Sequence, residues 1–389
     1  MRSPPALLTI LAFLAYVSLG LPDAVPGVAW PFIRETFKLP ISSLGTLLVT
    51  SMGGYLVASF YSGRLVNRIG VGGVLAGSGA LIVAGMTGYA LAPNWPVMVG
   101  FAVFAGLGAG AIDASLNLYA ANHFRPRLMV WLHGCWGVGA VIGPLVMTAM
   151  VTSRYGWRGG YAVLAVMIAA LSIAFLFTLR QWDDDPEPVE GAPPPPAAVS
   201  FSTALTDVRV WLNVLLYFFY TGLEISVGAW ITSLMREARH VPEAQAGTAT
   251  AFYFASITAG RFVIGSIANR VPSELIVRAA TWLAPLVILL IWLPKSYSIN
   301  VVALMLLGFL ISPLFPLWMS LTPVRLGPAV TAHAVGLQMA AASLGMSLIP
   351  GALGYIARWQ GLEAIPIAFL ALALIVLTIH EFARRMTVR

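Results

Sequence analysis

Apolar residues run along this chain in blocks rather than in stripes. No Asp, Glu, Lys or Arg occurs in residues 41–63, 69–112, 128–153, 159–179, 296–324 or 326–357. A helix needs about 20 apolar residues to cross a bilayer, so 69–112 holds two crossings, parted at Ala92-Pro93-Asn94-Trp95-Pro96. Blocks and turn signals together predict twelve helices, over residues 5–31, 41–63, 71–92, 96–121, 128–152, 158–180, 209–235, 244–269, 276–294, 297–323, 329–357 and 361–383. The first block starts with Arg2 and an apolar run from Ala6, which continues through Trp30 without a small-residue cleavage site. It reads as an uncleaved first helix.

Between the sixth and seventh helices the pattern breaks. Trp182-Asp183-Asp184-Asp185-Pro186-Glu187-Pro188 and the run Pro193 to Pro196 cannot pack a core, so 182–207 reads as a cytoplasmic acidic, Pro-rich linker. It divides the chain into an N-terminal six-helix bundle, 1–181, and a C-terminal six-helix bundle, 208–389. The two are related by sequence. A shift of 202 residues lays Arg34-Glu35 on Arg236-Glu237, Pro40 on Pro242 and Gly45-Thr46 on Gly247-Thr248. The same shift pairs Phe60 with Phe262, Gly63 with Gly265 and Asn67-Arg68 with Asn269-Arg270, then Gly106 with Gly308, Gly134 with Gly336 and Gly143 with Gly345. One register held over so many helices is the mark of an internal repeat. The expected fold is therefore all-α and polytopic, with twelve transmembrane helices in two pseudo-symmetric bundles. A parallel repeat of this kind suits a transporter whose halves rock about a site near the bilayer midplane.

Composition narrows the function. Of the 389 residues 59% are hydrophobic and 10% charged, far from the roughly 25% charge of soluble domains, which excludes a soluble enzyme. The net charge of +7 comes from basic residues at the ends of apolar blocks, a topological signal rather than a nucleic-acid surface. With both termini cytoplasmic, thirteen of the 22 Lys and Arg lie inside, eight outside, and Arg261 sits within a span. That asymmetry points to a bacterial inner (plasma) membrane protein with both ends in the cytoplasm. Cys135 is the single cysteine, and the five histidines are scattered, so no disulfide and no metal site is expected. No GxSxG, HExxH or GKS/T motif occurs, which argues against a membrane enzyme or ATP drive. The expected partners are a small-molecule substrate and the lipid bilayer, with the protein acting as a monomer and without a cofactor.

The segment Gly63-Arg64-Leu65-Val66-Asn67-Arg68-Ile69-Gly70, echoed at Gly265 to Arg270, resembles the G-x-L-x-D-R-x-G signature of the major facilitator superfamily, with Asn in place of Asp in both copies. By that resemblance Gly63, Asn67, Arg68, Gly265, Asn269 and Arg270 form the gating motif. Three further stretches are similar to the fucose permease and glucose/mannose:H+ symporter branch: Gly106 to Asn117, with Asp113 where the branch has Glu; Tyr220-Thr221-Gly222-Leu223-Glu224; and Gly308 to Pro316. The resemblance implies the major facilitator fold and proton-coupled symport of a small polar, sugar-like solute.

Three acids fall inside spans: Asp23, Asp113 and Glu224. A charge at the bilayer centre costs roughly 2.5–3.5 kcal/mol even on a lenient scale, so each lines a wet cavity or carries a proton. Asp113 has Asn117 one turn on, an acid beside an amide on one helical face. Asp23 sits among Gly20, Pro22, Pro26 and Gly27, which imply a broken first helix, and it is either a functional acid or a cap on the resumed helix. These two are the proton-coupling candidates. Glu224 shares a helix face with Tyr217 and Tyr220 and is assigned to substrate binding. Asn117, Trp30, Trp230, Trp136, Gln338 and His133 complete the candidate substrate set; the tryptophans either stack on a ring or anchor at an interface. Arg261 pairs with Glu224, meets a substrate oxygen or snorkels to a face. The segment Gly139-Ala140-Val141-Ile142-Gly143-Pro144 is read two ways. It resembles the G-x-x-x-G-P of drug/proton antiporters, which makes an efflux antiporter for an amphipathic compound the alternative function. Small residues at that spacing also let two helices approach closely.

Overall fold

The computed structural model describes residues 6–124, 126–182, 201–267, 270–293 and 296–386. Within them lie fourteen α-helices and no strand: α1 (Ala6–Asp23), α2 (Val25–Phe37), α3 (Leu44–Leu91), α4 (Trp95–His123), α5 (Pro126–Val151), α6 (Gly156–Phe177), α7 (Phe201–Thr206), α8 (Val208–Ser233), α9 (Glu243–Ile267), α10 (Ser273–Trp292), α11 (Tyr297–Ile311), α12 (Leu314–Leu326), α13 (Pro328–Gln360) and α14 (Ala364–Arg385). Eleven helical stretches among the described residues are long and apolar enough to cross a membrane. The longest, Ile41–Leu91, has 51 residues. A straight helix of that length would reach about 76 Å, more than twice the roughly 30 Å of hydrocarbon. It turns at Gly70, whose φ of 71° and ψ of 167° are non-helical, so it counts as two crossings and the total is twelve.

Several boundaries differ from the sequence expectation, each for a local reason. The stretch 64–69, expected as loop, stays helical up to Gly70, because only a residue without Cβ reverses the chain there at no steric cost. The first span runs on to Phe37 and stops at Lys38 in the left-handed conformation, where the Leu39 N–H bonds back to the Arg34 carbonyl at 2.9 Å. The tenth span is split into α11 and α12 at Ser312-Pro313. Proline there cannot donate to the Phe309 carbonyl, and the Ser312 hydroxyl donates to it instead at 2.8 Å. The segment 182–207 is not uniformly a linker. Trp182 is 1% exposed and donates to the Thr178 hydroxyl at 3.1 Å, with its ring 5.0 Å from that of Tyr119. Residues 201–206 form α7, and Asp207 caps α8 by accepting the Arg209 N–H at 2.8 Å. Hydrogen bonds from the Arg209 side chain hold the Asp207 carboxyl below the usual carboxylate range. Residues 183–200, and with them the acidic and proline runs, lie outside the described residues.

The chain clusters into two compact units, Met1–Val189 with Pro242–Ala251, and Glu190–Val241 with Phe252–Arg389. Within the first, α1 packs on α5 and both limbs of α3 pack on neighbouring helices; within the second, α8 packs on α13 and α14. Backbone contact carries much of this packing. A Cβ on Gly139 would stand 2.0 Å from the Val17 carbonyl oxygen, and one on Gly143 would stand 2.1 Å from that of Leu21. Gly20 answers from α1, 2.0 Å from the Trp136 carbonyl oxygen. The Gly139–Gly143 pair is therefore consumed by close helix packing, the second of its two readings. The 202-residue repeat is visible in the same kind of contact. A Cβ on Gly106 would meet the Ser51 carbonyl oxygen at 1.8 Å, and one on Gly308 would meet the Tyr253 carbonyl oxygen at 2.7 Å. Both partners in that second pair are the first pair moved on by the repeat.

One end of the second unit is tied by a single guanidinium. A π-helical turn, Leu234–Ala238, follows α8 and delivers Arg239, whose side chain is 2% exposed. Its Nε and Nη2 donate to both oxygens of Glu363 at 3.0 and 2.9 Å, and its Nη1 donates to Asn300 Oδ1 at 2.7 Å and the Ile291 carbonyl at 2.9 Å. Four segments meet at this one side chain.

Gly139→Leu forces α1 and α5 apart and is expected to cost about 2 kcal/mol or more, read as a fall of several degrees in the melting temperature of the detergent-solubilised protein. Gly77→Ala, where a Cβ meets nothing within 4 Å, leaves that temperature unchanged. Arg239→Gln strips the fork from Glu363 and is expected to cost about 3 kcal/mol; Arg239→Lys, which keeps the charge but not the planar fork, falls between it and wild type in the same measurement.

Candidate functional site

In the first unit the polar side chains of the spans gather around Asp113. Asn94 caps α4 by accepting the Val97 N–H at 3.1 Å, and the helix then runs through Gly106, Gly108 and Gly110 to the acid. Gly110 lets α3 come close: a Cβ there would lie 2.2 Å from the Tyr55 carbonyl oxygen. That approach brings the Tyr55 hydroxyl to Asp113 Oδ2, to which it donates at 2.5 Å. Asn117 Nδ2 donates to Oδ1 at 3.1 Å. Each carboxylate oxygen thus has a neutral donor. Tyr16 comes from α1; its buried hydroxyl lies in electrostatic contact with Asp113 and Asn117 without a well-formed hydrogen bond. His133 is exposed and packs edge-on against the Tyr16 ring at 5.1 Å.

Asp23 ends α1 next to the break. Ala24, not Asp23, is the N-cap of α2, and no side chain bonds that cap, so the capping alternative does not describe it. Its exposed carboxylate instead accepts the Trp136 indole N–H at 2.8 Å. Asp23 and Asp113 lie close enough for their charges to interact. The two acids therefore belong to one electrostatic neighbourhood, fed by α1, α3, α4 and α5.

The second unit handles its intramembrane acid differently. Glu224 is 5% exposed and takes Arg261 Nη2 on Oε1 at 3.1 Å. Of the three fates open to Arg261 from sequence, pairing with Glu224 is the one observed. The Tyr220 hydroxyl donates to Oε2 of Glu224 and also faces the Ile311 carbonyl at 3.1 Å. The Tyr253 hydroxyl donates to the Glu224 carbonyl at 2.9 Å. Tyr217 donates to the Phe315 carbonyl at 2.9 Å, so Tyr217 and Tyr220 brace the two sides of the α11–α12 break. Trp318, fully buried, packs on both tyrosine rings at 6.4 and 5.4 Å and donates to His380 Nδ1 at 3.3 Å.

The remaining candidates have their hydrogen bonds inside their own unit. Trp30 is fully buried, donates to the Ile41 carbonyl at 3.2 Å and lies 5.6 Å from the Trp95 ring. Trp230 is fully buried and donates to the Pro350 carbonyl at 3.0 Å. Gln338, also fully buried, bonds the Thr322 hydroxyl at 3.2 Å. In the gating motif Gly63, Asn67 and Arg68 are exposed on the end of the first limb of α3, as are Gly265 and Arg270 at the end of α9 and just after it; Asn269 lies outside the described residues. Among the described residues no cluster of three His, Cys, Asp or Glu could hold a metal ion.

Sequence reasoning missed Tyr55, Tyr16 and Tyr253. Tyr16 carried a usable signal, since it stands two helical turns before Asp23 on the same face. Tyr55 and Tyr253 carried none, because their partners lie 58 and 29 residues away on other helices.

The arrangement offers titratable carboxylates, phenol and indole donors and an amide in membrane-spanning helices, and nothing resembling a nucleophile–base pair among the residues gathered. The profile of the family described as Major Facilitator Superfamily matches residues 8–350. "Bypass of stop codon protein 6" of Saccharomyces cerevisiae is 23% identical over 92% of this chain and 78% of its own length. A gentisate transporter of Corynebacterium glutamicum is 25% identical over 55% of this chain and half of its own. A solved structure of the nucleoside transporter NupG superposes with a TM-score of 0.79 at 10% identity, covering 97% of this chain and all of that one; the likeness is one of fold. Family match, shared fold and twelve apolar crossings agree: the chain belongs to the Major Facilitator Superfamily and is a multi-pass membrane transporter of small molecules, not an enzyme.

Proposed function

We propose that this transporter is a proton-coupled symporter for a small hydroxylated solute, working by alternating access, with Asp113 as the coupling site and Asp23 as its electrostatic partner. The bonding of Asp113 carries the reading. Protonating a carboxylate that is ion-paired leaves a cation stranded in low dielectric, a cost of several kcal/mol. Glu224, bound to Arg261, is in that position. Asp113 is held by Tyr55 and Asn117, both neutral, so a proton taken up there leaves no cation without its counter-charge. Protonation also turns one of its oxygens from acceptor to donor, which changes what Asn117 and Tyr55 present to a bound hydroxyl. Proton and solute binding are linked by that exchange.

For the solute, the amide, phenol and indole groups near Asp113 suit ring hydroxyls. A sugar-like solute, as the symporter resemblance implies, fits them. So does a hydroxylated aromatic acid, a reading favoured by the gentisate transporter relative. Close packing at Gly139 and Gly143 suits either direction of transport, and an efflux antiporter for an amphipathic compound stays the alternative reading. The arrangement into bundles 1–181 and 208–389, monomeric in a bacterial inner membrane with both termini cytoplasmic, belongs to the same proposal and rests on the repeat and the Lys/Arg asymmetry.

In proteoliposomes, Asp113→Asn is expected to abolish accumulation driven by a pH gradient while leaving substrate binding and substrate-for-substrate exchange in place. Asp23→Asn is expected to shift the pH dependence of uptake without abolishing it. Accumulation by Asp113→Asn with wild-type pH dependence overturns the assignment. A thermal-shift panel of sugars, polyols and hydroxylated aromatic acids identifies the solute class, because a bound ligand stabilises the fold by mass action.

A further inference from the structure

A cavity of about 290 Å³ lies on the second unit between α10 and α14, far from Glu224 in sequence and unused by the transport site. Trp282, Leu377, Thr378, Glu381, Phe382 and Arg385 line it. Its chemistry is split. At one end the Glu381 carboxylate accepts from Trp282 Nε1 at 3.0 Å, Arg278 Nε at 3.0 Å, and Arg384 Nε and Nη2 at 3.3 and 3.0 Å. With Arg385, three arginines stand around that one acid, so the rim carries an excess of two positive charges. Arg278 contributes only its Nε to the pair, and Arg385 is exposed on the rim. At the other end the lining is apolar and continues along the helices. Trp282 is 52% exposed, Leu286 one turn on is 59% exposed, and Phe382 is 56% exposed.

We propose that this groove binds an anionic phospholipid, its phosphate held by Arg385 and Arg278, its glycerol region against Trp282, and an acyl chain along Leu286 and Phe382. The charge pattern selects the ligand. A zwitterionic lipid brings its own cation to an already cationic rim, whereas an anionic headgroup neutralises the excess. Tryptophan and arginine at a helix end are the side chains that settle at the headgroup level. The apolar continuation distinguishes a lipid from a free anion, which has nothing to place there. Glu381 acts as the organiser: with its carboxylate saturated by three side chains, it fixes the arginines rather than repelling the phosphate.

The experiment uses the full-length protein purified in detergent, titrated with phosphatidylglycerol, with phosphatidylcholine of the same chains, and with inorganic phosphate. Phosphatidylglycerol is expected to raise the melting temperature by several degrees, and the other two to have little effect. Arg278→Gln/Arg385→Gln is expected to weaken the phosphatidylglycerol response about tenfold or more, and the Lys/Lys pair to keep most of it. Arg385→Gln alone, at an exposed position, reports on the site without endangering the fold. Phosphatidylglycerol brominated on the acyl chain is expected to quench wild-type fluorescence, and the part of that quenching lost in Trp282→Phe to exceed the part lost with brominated phosphatidylcholine. Equal stabilisation by phosphatidylcholine, protection by inorganic phosphate alone, or an undiminished response in the Gln variants overturns the proposal.

Discussion

Inside a bilayer a polar group has no water to return to, and this constraint shapes every unusual feature of the molecule. An unsatisfied backbone group in hydrocarbon costs several kcal/mol. Where proline interrupts the tenth span, the freed Phe309 carbonyl is taken by the Ser312 hydroxyl, and Tyr217 donates to the Phe315 carbonyl beyond it. The side-chain acids obey the same rule. Asp23 is met by Trp136, Asp113 by Tyr55 and Asn117, and Glu224 by Arg261 and Tyr220. Aromatic residues supply most of these donors because a phenol or indole is apolar along its body and polar only at its tip.

Such partners meet only if helix backbones come close, and glycine sets that distance. Tyr55 reaches Asp113 because Gly110 and Gly106 let α3 lie directly against α4. Trp136 reaches Asp23 because Gly139, Gly143 and Gly20 bring α5 against α1. The packing surface and the polar site are thus one construction. A methyl group added at these contacts would displace not only a helix but the donor that keeps an acid satisfied.

The two units apply one plan to different chemical ends. In each, a glycine of one helix packs on the backbone of its neighbour in the same repeat register, as Gly106 does on Ser51 and Gly308 on Tyr253. Yet the first unit holds its acid with neutral donors and the second with a guanidinium. Protonating the ion-paired acid would leave its guanidinium without a counter-charge, whereas protonating the other would leave no cation behind. The duplicated architecture thereby holds a carboxylate met only by neutral donors in one half and an ion pair in the other.

Hydropathy and charge are properties of each residue, so the sequence alone determined the number of crossings, the repeat at 202 residues, and which acids are too costly to sit in a span without a reason. It also located the break near Asp23, because proline and glycine act locally. Only the tertiary structure decided what each acid bonds to. Asp23 and Trp136 are 113 residues apart, and Asp113 and Tyr55 are 58 apart; their meeting depends on how each helix is rotated and how near its neighbour lies. The same holds for Trp30 and Trp230, which linear position made candidates for substrate contact and which packing buried against backbone carbonyls. Helix rotation and spacing are set by contacts between surfaces from distant segments, and no window along a single chain records them.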